Sequence, residues 1–437
     1  MSADPHQSPS RVRFGVLALV ALAATSAYMT RSLGAANTTI AREMVISDTA
    51  MGEVLGAFNL GYLLCQIPGG LAASRWGVRS TLALLAAVWS ACTVWASLCQ
   101  TADQLSTARL ALGVAQAGLV PCIAKVVADW FPVNRRGVTS AIVAAAMQLG
   151  SIAASGLTAV LLEPLGWRVT LQCYAVAGLG WSGLFWWWFR DAPGEHRQVN
   201  EAERQCIAAG RSSAESGEPP ALALLGWPLA GALLGSLSFW AFCVQAYCRA
   251  YAYELFSTWF APLLEKGYGV SVERAGQLAT LPTTAILLGS LAAGVVVDWI
   301  FQKTGRQYLS RSGAAIVGML LSGLAFVAVL PVRDPVTLVL VVSAGAVLSA
   351  LANPATWATA MDLGGRYTPV LMAVMNMVGS LGAFHCPRQV GALFDEIAAR
   401  GDGRWELVLW LFAGVNMASA LAWLLVRPTE RIRNLRG

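Results

Sequence analysis

Long apolar stretches alternate with short polar breaks along the chain, and the stretches share one length. They fall near 14–36, 51–73, 80–100, 104–128, 138–162, 167–189, 230–262, 275–298, 309–331, 335–358, 369–392 and 405–426. A helix rising ~1.5 Å per residue needs about 20 residues to cross a hydrocarbon layer ~30 Å thick, and each stretch is long enough. The pattern predicts an all-α membrane protein of twelve transmembrane helices. The longest polar break, RDAPGEHRQVNEAERQCIAAGRSSAESGEPPALALLGW over 190–228, is rich in Pro, Gly, Ser and charge. It reads as a cytoplasmic linker joining two six-helix halves, 1–189 and 229–437.

Charge fixes the orientation. With both termini in the cytoplasm, eighteen of the thirty lysines and arginines lie inside, Arg75, Arg79, Arg135 and Arg136 among them, and eight lie in outer loops. An inner excess of basic residues is the usual determinant of topology, so the net charge of +6 requires no nucleic acid. Only 12% of residues are charged and 56% are hydrophobic, against about a quarter charged in soluble domains. The first helix has no small-residue cleavage site and reads as a retained anchor. Nine cysteines sit mostly in apolar spans without metal-ligand spacing, and no nucleotide loop, HExxH or nucleophile elbow occurs. Neither a cofactor, ATP drive nor an enzyme finds support. Abundant alanine, with arginine far exceeding lysine, points to a GC-rich bacterial genome and hence an inner membrane, with the monomer as the functional unit.

The two halves echo each other. GGLAASRWGVRS (69–80) is answered by AGVVVDWIFQKTGRQ (293–307), MQLGS (147–151) by MVGSLG (377–382), and Arg31 in AYMTRSLGAAN by Arg249 in CVQAYCRAYAYELFSTWF. Both arginines stand at a similar depth in the first helix of their half. Repeated halves with a polar site near mid-membrane are what alternating access requires. An arginine at the centre of a span costs roughly 2.5–3.5 kcal/mol, so it is expected to face protein or water rather than lipid.

Few other polar side chains lie inside spans. Gln245, Arg249, Tyr253 and Phe256 fall on one helical stripe, and Tyr28 lies one turn from Arg31. A guanidinium fork pairs bidentately with a carboxylate or phosphate and keeps its charge, so arginines flanked by aromatics predict a site for a small anion. Arg31, Arg249, Tyr28, Gln116, Tyr253, Gln148, Asn376 and Arg109 are the candidate substrate contacts. The structural alternative is that these arginines pair with Glu254 or with helix ends and only hold the bundle together. Glu254 and His385 are the candidate proton carriers.

GGLAASRWGVRS resembles the loop between helices 2 and 3 of the major facilitator superfamily. Gly70, Arg75, Gly77 and Arg79 fit its pattern, and Ser74 stands where an aspartate is usual; Asp298, Gly305 and Arg306 match the second copy. SDTAMGEVLGAFNLGYLLCQIPGG (47–70), VVADWFPVNRRG (126–137), GWR (166–168) and RDAPGEHRQVNEAE (190–203) are similar to the anion:cation symporter group, which includes bacterial sugar-acid and dicarboxylate permeases, vesicular glutamate transporters and sialin. The resemblance implies that Arg31 and Arg249 bind the substrate's acid group, and that Gly70, Arg75, Gly77, Arg79, Asp298 and Arg306 brace the inner gate. It also implies proton uptake at the positions of Thr30 and Gln116, where neither residue titrates. The expected function is secondary transport of small organic anions, with an organophosphate or phosphate exchanger, or a ligand sensor that does not transport, as the alternatives.

Overall fold

The computed structural model describes residues 8–31, 33–132, 135–208, 231, 233–364, 368–401 and 403–427. Residues 209–228 of the expected linker, with Arg211, lie outside them, as do Arg366 and the basic residues beyond Arg427. Among the described residues every regular element is helical. In chain order these are α1 (Val12–Arg31), α2 (Asn37–Glu43), α3 (Asp48–Trp76), α4 (Val78–Leu98), α5 (Ala102–Gln116), α6 (Leu119–Trp130), α7 (Arg136–Trp188) and α8 (Glu201–Ala208). They continue with α9 (Leu237–Glu254), α10 (Phe260–Tyr268), α11 (Val272–Thr304), α12 (Ala314–Ala328), α13 (Pro335–Ser349), α14 (Ala352–Gly364), α15 (Thr368–Arg400) and α16 (Glu406–Leu425).

Each expected apolar span falls on one helix or on a consecutive pair. Nine helices among the described residues are long and apolar enough to cross a membrane. The 53-residue α7 covers two expected spans. It breaks at Gly166, whose φ of 69° is a left-handed value that suits glycine, two residues after Pro164. Helix starts follow the capping rules. The Thr101 side chain accepts from the Gln104 amide, Ser236 from Phe239, and Asp334 from Thr337 with Pro335 following at the first helical position.

Packing divides the chain into two units: Met1–Ser32, Ala57–Ala154 and Leu161–Glu218 in the first, and Leu33–Gly56, Ser155–Val160 and Pro219–Gly437 in the second. In the first, Trp181 stacks on Trp89 and Phe185, and Phe185 on Phe189, within a core running from Val12 to Ile207. The Trp181 indole donates to the Leu19 carbonyl at 3.0 Å, so its one polar atom is satisfied where it is buried. In the second, Phe242, Ala246, Met319 and Trp423 form the centre of a separate core. Lipid tails are as apolar as leucine, so helices in a membrane gain by approaching closely at small residues. Gly61 and Gly113 show this in the first unit: a Cβ on either would overlap a carbonyl of the other helix, so α3 and α5 touch backbone to backbone.

The amino end of α1 is capped by α8, near the start of the expected linker. Glu203 of α8 is fully buried, and its carboxylate accepts the amides of Val12 at 3.0 Å and Arg13 at 3.1 Å as well as the Ser10 hydroxyl. A carboxylate suits that place because the first amides of a helix lack partners and carry partial positive charge.

Candidate anion-binding site

Arg31 is the last residue of α1 and half-buried. Its guanidinium lies over the rings of Tyr28 at 4.2 Å, Phe58 at 4.8 Å and Tyr62 at 4.8 Å. Tyr28 comes from the preceding turn of α1. Phe58 and Tyr62, four residues apart, share one face of α3, held beside α5 by the glycine contact just described. Ring faces attract a cation with about 0.5–2 kcal/mol each, more when desolvated, so the aromatic cage fixes the guanidinium without neutralising it. The sequence reading anticipated Tyr28 and missed Phe58 and Tyr62; their spacing of four on a span was the available signal.

Arg109 is buried, and its guanidinium donates to the carbonyls of Thr30 at 3.3 Å and Arg31 at 2.6 Å. These carbonyls lie in the last turn of α1. A cation there is favoured by the helix dipole. Gln116, also on α5, is fully buried and donates to the Ala27 carbonyl at 3.1 Å and the Thr30 hydroxyl at 2.9 Å. The two neutral residues at the proton-carrier positions are therefore bonded to each other. Arg109 and Gln116, both expected as substrate contacts, thus each bond the last turns of α1. Gln148 is half-buried on α7, which meets α1 so closely at Gly150 that a Cβ there would overlap the Thr25 carbonyl.

In the second unit Arg249 and Tyr253 are half-buried on α9, and Gln245, on the same stripe, is fully buried. Phe256, the last position of the stripe, is buried. The helix widens into a π-turn over Leu255–Trp259, and Phe256 packs into the core against Phe260 and Phe326. Such one-turn bulges recur at functional sites. Glu254 serves the turn: its carboxylate accepts the Ser257 hydroxyl at 2.9 Å and its carbonyl the Thr258 hydroxyl at 2.6 Å. His385 Nδ1 shares a 2.9 Å hydrogen bond with the Tyr247 hydroxyl, and one turn on Tyr251 donates to Gln389 at 2.7 Å. The result is a two-rung polar ladder between α9 and α15, with Gly382 allowing close approach to the Tyr247 carbonyl. Asn376 is exposed on α15, with its carbonyl accepting from Ser380.

Of the gate residues, Gly77 has a φ of 79° and precedes α4, and a Cβ there would strike the Asp191 carboxylate. Asp191 accepts the amides of Val78 at 2.6 Å and Arg79 at 2.9 Å. Arg79 donates to the Trp186 carbonyl at 2.8 Å and lies over the Trp186 ring. Gly70 packs on Pro121, and Arg75 is exposed. Ser74 bonds back to the Gly70 carbonyl, so the acidic group of this loop is Asp191, a residue the sequence reading used only as part of a signature. In the second copy Gly305 ends α11 at a φ of 63°, Asp298 and Arg306 are exposed, and the ion pair is Arg311 with Asp362 at 3.4 Å.

Membrane-length helices thus carry a caged arginine in the first unit and an arginine shortly before a π-turn in the second. The chain belongs to the Major Facilitator Superfamily, whose family model matches residues 17–387. Among its relatives is a protein named probable sulfoacetate transporter SauU of Cupriavidus necator, 25% identical and aligned over 96% of this chain and 94% of its own. Another is the probable galactarate/D-glucarate transporter GudP of Bacillus subtilis, 27% identical over 99% and 95%. The fold matches the crystal structure of a bacterial homologue of the human lysosomal transporter Spinster, with a TM-score of 0.74 and 17% identity over 97% of this chain and 95% of that one. It also matches a D-xylose–proton symporter, with a TM-score of 0.71 and 14% identity over 95% and 98%.

Proposed function

We propose that the protein is a secondary transporter of small organic carboxylates, sugar acids and dicarboxylates among them, in a bacterial inner membrane with both termini cytoplasmic. In this reading it works as a monomer by alternating access of two six-helix halves, 1–189 and 229–437, about the linker 190–228. Arg31 and Arg249 supply the cations that bind the acid group, with Tyr28, Tyr253, Gln148 and Asn376 as polar contacts. The observation that carries the reading is the Arg31 cage. Three ring faces orient a planar fork that keeps its charge at every physiological pH and matches a carboxylate bidentately. Relatives named for sulfoacetate, galactarate/D-glucarate and L-galactonate transport support the substrate class.

Coupling follows from the bond between Thr30 and Gln116. Neither side chain titrates, so no proton is carried there. Moving one negative charge inward against 100 mV costs ~2.3 kcal/mol, close to a fifty-fold opposing gradient. The substrate anion is therefore exchanged for another, exported, or accompanied by a proton held at Glu254 or His385. Thermal-shift screening of purified protein against sugar acids, dicarboxylates, aromatic acids, phosphate esters and inorganic phosphate tests the substrate class. Stabilisation by carboxylates that disappears with Arg31→Ala is the expected result. Stabilisation by phosphate esters alone would replace this reading with an organophosphate exchanger.

A further inference from the structure

Soon after their arginines, the first helix of each half breaks. α1 gives way to a tight turn at Gly34–Ala36 and α9 to the π-turn at Leu255–Trp259. Residues 33–56 belong to the second unit, and there the two breaks lie against each other. A Cβ on Gly34 would overlap the Ser257 carbonyl, and the buried Asn37 side chain donates to the Thr258 carbonyl at 3.2 Å. Further along, polar contacts pin the segment to α10 and α15. The Thr38 hydroxyl donates to the Glu265 carboxylate, and Lys266 pairs with Asp48 at 2.5 Å. Asp395 accepts the amides of Asp48 at 3.0 Å and Thr49 at 2.8 Å. A cleft of about 630 Å³ lies alongside, lined by residues that include Thr38, Arg42, Asp48, Glu265, Lys266 and Asp395.

We propose that Glu265 and Thr38 form a proton-sensitive latch on the outer face, in which protonation of Glu265 favours closure of residues 33–56 onto α10. The latch rests on the orientation proposed above, which puts this face outside. Glu265 differs from the other charged groups around it. Asp48 is paired with Lys266, Asp395 is served by two backbone amides and the Thr49 hydroxyl, and Arg42 carries a permanent charge. Among the described residues Glu265 receives the Thr38 bond alone, and its other oxygen is buried without a hydrogen-bond partner there. An anionic oxygen so placed carries a desolvation cost that a neutral carboxyl does not.

Burial pushes the Glu265 carboxyl above its ordinary value, against the lowering effects of Thr38, Arg42 and Lys266. If the segment lifts away, the group is solvated and returns towards an ordinary glutamate value of about 4.3. The closed form thus binds the extra proton between the ordinary and the raised value. Closure is favoured as pH falls through that window, by at most about tenfold per pH unit for one proton, and weakens as pH rises above it. A neutral carboxyl also gains a donor that can answer the Thr38 hydroxyl.

The test uses the full-length protein with Ala41→Cys, a buried position beside the cleft, and a membrane-impermeant maleimide. Its labelling rate is divided by that of the exposed Val45→Cys variant at the same pH, which removes the reagent's own pH dependence. We expect the ratio to fall several-fold from pH 7.5 to pH 5, to stay low at every pH with Glu265→Gln, and to be raised at every pH with Thr38→Val. Thermal unfolding of the purified variants confirms that each is folded. A ratio indifferent to pH, or a pH response that survives Glu265→Gln, overturns the latch. Labelling in inside-out vesicles but not intact cells overturns the orientation instead, and the same ratio measured from that side still judges the latch.

Discussion

Replacing Arg109 by methionine separates a support of the site from a ligand in it. The methionine keeps much of the arginine stem's volume but removes two donors, those to the carbonyls of Thr30 and Arg31. Hydrogen bonds from a charged donor contribute about 1.5–3 kcal/mol each, and of the two lost here one is buried and the other part-buried. The substitution also removes a buried cation with its own desolvation cost, which offsets part of the loss. A net destabilisation of about 2–4 kcal/mol follows for the unliganded protein, within the range for breaking a buried polar contact. Arg31 keeps its aromatic cage but loses the clamp on its own carbonyl, so binding should weaken about tenfold, or ~1.4 kcal/mol, rather than vanish. Thermal unfolding without ligand and a titration with the best carboxylate from the screen measure the two effects. Arg31→Ala, which removes the fork itself, should abolish binding rather than weaken it. An Arg109→Met protein that unfolds normally and binds nothing would refute the clamp and make Arg109 a direct ligand.

Arg31→Lys and Arg249→Lys should each lose binding by a hundredfold or so in the same titration, since a point charge does not reproduce the fork; normal transport by either removes bidentate recognition. Asp191→Asn should cost about 0.5–2 kcal/mol of unfolding free energy as a weakened cap on α4, whereas Ser74→Ala should cost far less because its hydroxyl bonds only within its own helix. Reconstituted protein should give substrate-dependent currents, or uptake that needs a trans anion; uptake driven by a pH gradient alone, and lost in Glu254→Gln or His385→Gln, would show that one of those groups carries the proton. Burial and the neighbouring Arg190 hold the His196 imidazole below its ordinary value, against Trp188 and Glu203, so the fold favours the neutral ring. Stability from this group is full above about pH 6.5 and is lost as pH falls below it, and His196→Phe should flatten that part of the unfolding profile.

The helices were legible because a membrane imposes one length on every crossing, and the turn at Gly166 because glycine and proline mark it. The two arginines stood out because a charge in an apolar span is costly and therefore rare. What surrounds them was less visible. The bond of Gln116 to Thr30 gave no sign in the sequence, because the two are 86 positions apart and only packing brings them together. The burial of Phe256 against Phe260 and Phe326 was hidden because nothing in LFSTW announces a π-turn. Asp191 was read as a family signature, while its work as the cap of α4 depends on a fold that returns the end of α7 to the start of α4. Helical spacing orders the residues of one helix; it does not say which helix lies opposite.

Glu203 has a practical consequence for anyone who would divide this protein. The stretch after α7 is an inviting place to cut the gene and express two halves. A cut between residues 190 and 200 would send Glu203 with the second fragment and leave the first helix of the other fragment with bare amides at its start. A cut placed after Ala208 keeps α8 on the first fragment, so the two reading frames should meet there.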